Sequence, residues 1–114
     1  MERIGIMDQH IIESLTIDVI IPVYKPDNKF VLLIERLVKQ NVKPQHIILL
    51  HTIEEKDTEN EIVKDALNYS TTSCPIICMD IQKSDFDHGG TRNFGASLSQ
   101  ADIIMFMTQD AVPV

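Results

Sequence analysis

The chain has 114 residues, 44% of them hydrophobic, 24% charged and 5% aromatic, with no Trp and a formal net charge of −7. These totals describe one folded domain with an aliphatic core and exclude a chain that is disordered throughout. The acidic balance speaks against a nucleic-acid-binding surface, because phosphate backbones attract basic patches, but not against a single nucleotide held by a few groups.

No apolar run reaches the ~18 residues of a membrane-spanning helix. The start, MERIGIMDQH, is charged and lacks the apolar core of a signal peptide, so a cytoplasmic protein is expected.

Residues 1–15 read as an N-terminal extension. IDVIIPV (17–23) is a continuous β-branched run, the pattern of a strand buried on both faces. It breaks at Pro26, and Asp27 is placed to cap a following helix whose apolar stripe is Phe30, Leu33, Ile34, Leu37 and Val38. That helix ends before Pro44. HIILLHT (46–52) is a second buried strand. Thr58 and Glu61 form a T-x-x-E capping box for a second helix with Ile62, Val63, Ala66 and Leu67 on its apolar face.

IICMDI (76–81) is the third strand. A third helix is expected from about Thr91 to Ser99, with Phe94, Leu98 and Ala101 inward. DIIMFM (102–107) is the fourth strand, with Met105 and Met107 in the core. Cys74 and Cys78, spaced C-x3-C, read as reduced buried thiols on a strand, since no zinc pattern surrounds them.

The order β-α-β-α-β-α-β predicts an α/β fold: a doubly wound, mainly parallel sheet with helices on both faces. Ligands of such sheets bind beyond the carboxyl ends of the strands. Those ends here are PVYKPD, LHTIEE, QKSDFDHGG and TQDAVP. No G-x-G-x-x-G follows the first strand and no G-x-x-x-x-G-K-[ST] is present. A divalent metal on a carboxylate is the natural substitute for handling phosphate, and Asp110 stands just past the fourth strand.

IDVIIPVYKPD followed by a helix, then DHGGTRNFGASLSQADIIMFMTQDAVP, resembles the N-terminal half of family 2 glycosyltransferases with the GT-A fold, nearest the bacterial rhamnosyltransferase-like branch. The resemblance covers about residues 16 to 114. It implies that Pro22, Val23 and Tyr24 line the nucleotide base pocket, that Arg92 approaches a diphosphate and that Asn93 holds its loop. Thr108-Gln109-Asp110 stands where the family has Asp-x-Asp, so Asp110 is the implied ligand of Mg2+ or Mn2+. His88 is open to two roles, a contact to the donor's phosphates or a local hydrogen bond to the Gly89–Gly90 turn.

The implied donor is a nucleoside-diphosphate sugar. The implied acceptor is a glycan or lipid-linked glycan, with the parent enzyme in the cytoplasm or at the inner face of the membrane. Inverting transfer, with rhamnose as one candidate sugar, is the implied reaction in cell-surface polysaccharide synthesis. The catalytic base is expected in an acceptor-binding half beyond residue 114, so the chain alone is expected to be inactive and to self-associate through exposed sheet surface.

Two departures stand out. Thr108 replaces the first carboxylate of the metal motif, and LHTIEEKDT offers Glu54, Glu55 or Asp57 in place of the family's acidic residue after the second strand. Read without the family, Arg92 pairs with Asp85 or Asp87, and the acidic residues 54–59 form a solvated loop. The rival readings are a non-catalytic nucleotide- or protein-binding module of the same fold, and a phosphoacceptor regulatory domain. The second is disfavoured because the first strand ends without a carboxylate pair.

Overall fold

The computed structural model describes residues 15–41, 43–54, 60–85 and 88–111. Four strands form one parallel sheet: β1 (Ile17–Val23), β2 (His46–Ile53), β3 (Ile76–Gln82) and β4 (Ile103–Phe106). Their order is β3-β2-β1-β4. The two β-branched runs that read as doubly buried are the two central strands, and both edges are strands of mixed exposure.

Among the described residues three α-helices cover the sheet: α1 (Asn28–Val38), α2 (Glu61–Leu67) and α3 (His88–Ser97). α1 and α2 lie on one face, where Phe30, Leu33, Leu37, Val63 and Ala66 pack on Val19, Ile21, Ile47 and Leu49. α3 lies on the other face, over Ile20 and Leu50. The doubly wound expectation therefore holds. Asp27 caps α1 as read, its carboxylate accepting from the Lys29 amide at 2.9 Å.

Local expectations fail at three places. α2 is capped by Asn60, whose Oδ1 accepts from the Val63 amide at 3.1 Å; Thr58 lies outside the described residues. Asn is at least the equal of Thr at this position, so a later start satisfies the same orphan donors. α3 begins at His88, so His-Gly-Gly is its first turn, and no described glycine has a positive φ.

With that start, Thr91 and Gly95 face the sheet, whereas Phe94 and Leu98 are exposed and Ala101 is half-buried. β4 is a short edge strand, which leaves Met105 47% exposed, while Met107 packs against the core. Cys74 is buried but precedes β3, and Cys78 on β3 is half-buried; both are free thiols.

The amino ends of the strands are tied by buried polar contacts. Asp18, 2% exposed, accepts from Ser99 Oγ at 2.6 Å and lies 3.1 Å from His46 Nδ1. These bonds satisfy a carboxylate that would otherwise be stranded in the core. Asp102 accepts from the Thr16 amide and hydroxyl, at 2.9 and 3.1 Å.

Candidate functional site

In the order β3-β2-β1-β4 the crossovers from β1 run one way to β2 and β3, and the last one returns past β1 to β4. Helices therefore diverge at the β1/β4 boundary and leave a crevice at the carboxyl edge. A cavity of about 710 Å³ occupies that position. β1 supplies Pro22 and Val23, and the residue after it Tyr24; β4 and the turn after it supply Phe106 to Asp110; α3 supplies Arg92. Thr52 and Lys83, at the ends of β2 and β3, complete the lining. The size is that of a cleft for a small organic ligand.

The structure thus brings Pro22, Val23, Tyr24, Arg92 and Asp110 to one cavity. Asn93 is exposed on α3 and is not among the lining residues. His88 opens α3, and its side chain lies outside the described ones.

Tyr24 is held from both ends. Its backbone N–H donates to Gln109 Oε1 at 2.7 Å, and Gln109 Nε2 donates back to the Tyr24 carbonyl at 3.0 Å. Its hydroxyl donates to Glu54, and Lys83 Nζ donates to the same hydroxyl at 3.0 Å. Lys25 and Lys83 lie 5.4 and 5.2 Å from the ring centroid, within cation–π range.

The Tyr24 hydroxyl first, then Lys25 and Lys83, holds the Glu54 carboxyl below its usual range. The Tyr24 hydroxyl and Glu54 hold Lys83 above its own. Glu54 is therefore part of a network rather than a solvated loop residue; Glu55 and Asp57 lie outside the described residues. Lys25 takes φ 46°, a left-handed conformation uncommon for a side-chain-bearing residue, and its ammonium reaches Glu54 at 3.5 Å.

Arg92 stacks on Phe106, 4.9 Å from guanidinium carbon to ring centroid, and makes no ion pair with Asp85; Asp87 lies outside the described residues. Stacking keeps the guanidinium at the cavity wall, and among the described residues no carboxylate pairs with it. Asp110 is exposed at the same cavity and has no cationic partner among the described residues. Gln109, wholly engaged with Tyr24, leaves Asp110 as the carboxylate and Thr108 as the hydroxyl of the Thr-Gln-Asp triplet. Sequence reading missed the work of Gln109, Lys83, Thr52 and Phe106. The only hint was their placement at strand ends.

A second group of potential ligands was not anticipated. His51, Cys78 and Asp80 place a nitrogen, a sulfur and a carboxylate oxygen within 4.8 Å of one another. Burial first, and then the Asp80 carboxylate, pushes the Cys78 thiol up to about 11, and burial also raises Cys74.

Among the described residues no helix is long and apolar enough to cross a membrane. The chain is 31% identical over 99 residues to O-antigen chain rhamnosyltransferase RfbN of Salmonella typhimurium (strain LT2), a match spanning 86% of this chain and 29% of that protein. It is 37% identical over 75 residues to O-antigen chain rhamnosyltransferase WbaN of Salmonella anatum, spanning 65% of this chain and 21% of that one. The chain therefore spans less than a third of the length of these relatives. No solved structure matches it. The family description "Glycosyl transferase family 2" matches residues 18–113, which take in all of the sheet except Ile17 and all the described residues lining the cavity. The chain belongs to the family 2 glycosyltransferases.

Proposed function

We propose that the cavity at the β1/β4 crevice binds the nucleoside-diphosphate part of a nucleotide sugar. The whole enzyme would then transfer the sugar, with inversion, to a hydroxyl of a glycan or lipid-linked glycan in cell-surface polysaccharide synthesis. The observation that carries this reading is the meeting of Tyr24, Arg92 and Asp110 in one cavity at the carboxyl edge of the sheet. Rhamnose is the sugar we infer, because the two Salmonella relatives are named for its transfer. A site at the inner face of the cell membrane is part of the same proposal. The exposed apolar side chains of β4 support the self-association expected of the isolated chain.

Each residue has a physical part in this reading. Pro22 and Val23 give the base an apolar wall. Tyr24 gives it a ring face whose position is set by Gln109, Glu54 and Lys83. Arg92, seated on Phe106, holds positive charge where the diphosphate would lie, and charge placed in advance opposes the negative charge that grows on a departing diphosphate. His88, at the start of α3, is assigned to the phosphates as well.

Mg2+ or Mn2+ fits at Asp110, since these ions take oxygen ligands, and one or two carboxylates with phosphate oxygens suffice. Its chemistry there would be further neutralisation of the leaving phosphate. The domain boundary we propose is residue 16, with 16–114 as the donor-binding portion. Among the described lining residues Asp110 is the one carboxylate. With it on the metal, none of them takes the acceptor's proton. The purified 114-residue chain is therefore expected to bind donor without transferring sugar.

The test is calorimetric titration of nucleoside diphosphates with and without Mn2+, on the wild type and Asp110→Asn. Binding is expected to require Mn2+, and the variant to bind about tenfold or more weakly, the scale of losing support for a metal. Binding that ignores both the ion and the substitution would favour a non-catalytic module of the same fold. Absence of any binding would reject the donor site.

A further inference from the structure

We propose that His51, Cys78 and Asp80 form a second cation site, built for Zn2+ rather than Mg2+ or Mn2+, on the face of the sheet that carries α1 and α2. Pairing of β2 with β3 sets His51 beside Asp80 and Leu49 beside Cys78. Side chains alternate along a strand, and paired residues share a face, so all three project to the side that carries α1 and α2. Thr52, which lines the nucleotide cavity, projects to the other side. The two sites share the carboxyl edge of the sheet but no residue.

The spacing suits a small tetrahedral ion. His51 Nδ1 lies 3.3 Å from Asp80 Oδ1, Cys78 Sγ lies 3.8 Å from the same oxygen, and all three atoms fall within 4.8 Å of one another. Ligand bonds of about 2.0–2.3 Å around a tetrahedral zinc put neighbouring ligand atoms roughly 3.3–3.8 Å apart. Two of the three edges already have that length, and the third lies within 4.8 Å.

The donor set is one imidazole nitrogen, one thiolate and one carboxylate oxygen. That combination selects a borderline ion, whereas the oxygen-only Asp110 site selects a hard one. Three protein ligands leave a fourth position for water.

The bond changes are simple. The Cys78 S–H bond breaks and its proton leaves to solvent, the S–Zn bond forms, and no oxidant or reductant is involved. His51 is 6% exposed and Cys78 half-buried, whereas the Asp80 side chain is 53% exposed, so the ion would enter from the Asp80 side. Once seated it would staple the edge strand β3 to the central strand β2. This proposal does not depend on the donor-site reading.

Titration of the apo chain with Co2+, a spectroscopic substitute for Zn2+, tests it. One equivalent is expected to give a near-ultraviolet thiolate-to-cobalt band and the intense visible bands of four-coordination, both displaced by Zn2+. Cys78→Ser is expected to abolish the thiolate band. Asp80→Asn, at an exposed position that should not disturb folding, is expected to weaken Co2+ binding by about tenfold or more. Zn2+ is expected to raise the Tm of the wild type and not of Cys78→Ser. Asp110→Asn is expected to keep the cobalt spectrum, which separates this site from the nucleotide site. No thiolate band, or a band that survives Cys78→Ser or is insensitive to Asp80→Asn, would overturn the proposal.

Discussion

Gln109 does with one side chain what a further pair of strand residues does with two backbones. Its amide meets both the N–H and the carbonyl of Tyr24, prolonging the β1–β4 pairing past the point where β4 ends. Replacing it with glutamate keeps an acceptor for the Tyr24 N–H but removes the donor to the carbonyl and sets a like charge beside Asp110. Gln109→Glu should lower unfolding free energy by about 1 kcal/mol in urea titrations, the worth of one such bond.

At this scale the position of Asp110 just past β4 was legible from the rule that ligands of such sheets bind at strand ends, whereas Tyr24 and Arg92 were singled out only by the family resemblance. The partners that hold them were not. Gln109 and Tyr24 are 85 positions apart, and Lys83 and Tyr24 are 59 apart, so no local window contains either pair. The His51–Cys78–Asp80 group was hidden for the same reason, since only the β2–β3 register brings His51 to the other two.

α3 owes its closeness to the sheet to Gly95. A Cβ built there would stand 2.8 Å from Leu50 Cδ1 and 3.1 Å from Ile20 Cγ2, both side chains fully buried. Alanine would contribute up to about 1 kcal/mol as the better helix former. Overpacking a closed core costs about 1–3 kcal/mol, because tips with nowhere to move force the helix outward. Gly95→Ala should therefore be destabilising by about 1 kcal/mol net in chemical denaturation. It should also weaken nucleotide binding, since the same helix carries Arg92.

Elements with strong local signals were readable: β1, the Asp27-capped α1 and β2 all fall where periodicity places them. α3 was misphased because glycines read as a turn instead form its first helical turn. β4 was read as core because its residues are apolar, and apolarity does not distinguish a central strand from an edge.

For the whole molecule, the important contacts join residues far apart in sequence. Asp102 accepts two hydrogen bonds from Thr16, 86 positions away, and the Thr16 amide first and hydroxyl second hold its carboxyl below the usual range. Its unfolded value is that of an ordinary aspartate, about 3.9. The folded state thus binds the proton less readily. The stabilisation is fully present above the unfolded value and is lost as pH falls through the folded one. The urea midpoint of the wild type should exceed that of Asp102→Ala at neutral pH, and the difference should shrink on acidification below about pH 4.

The same long closure bears on how the protein comes into being. β1 is central, but its second neighbour is β4, so the crevice between them forms only after β2 and β3 have been made. Joining such distant segments carries the largest loop-closure entropy in the fold and slows the pairing that completes it. During synthesis, competence to hold a nucleotide would arrive late, after α1, α2 and the β1–β2–β3 half have assembled. In refolding it should return with the slowest phase and not with the bulk of the secondary structure.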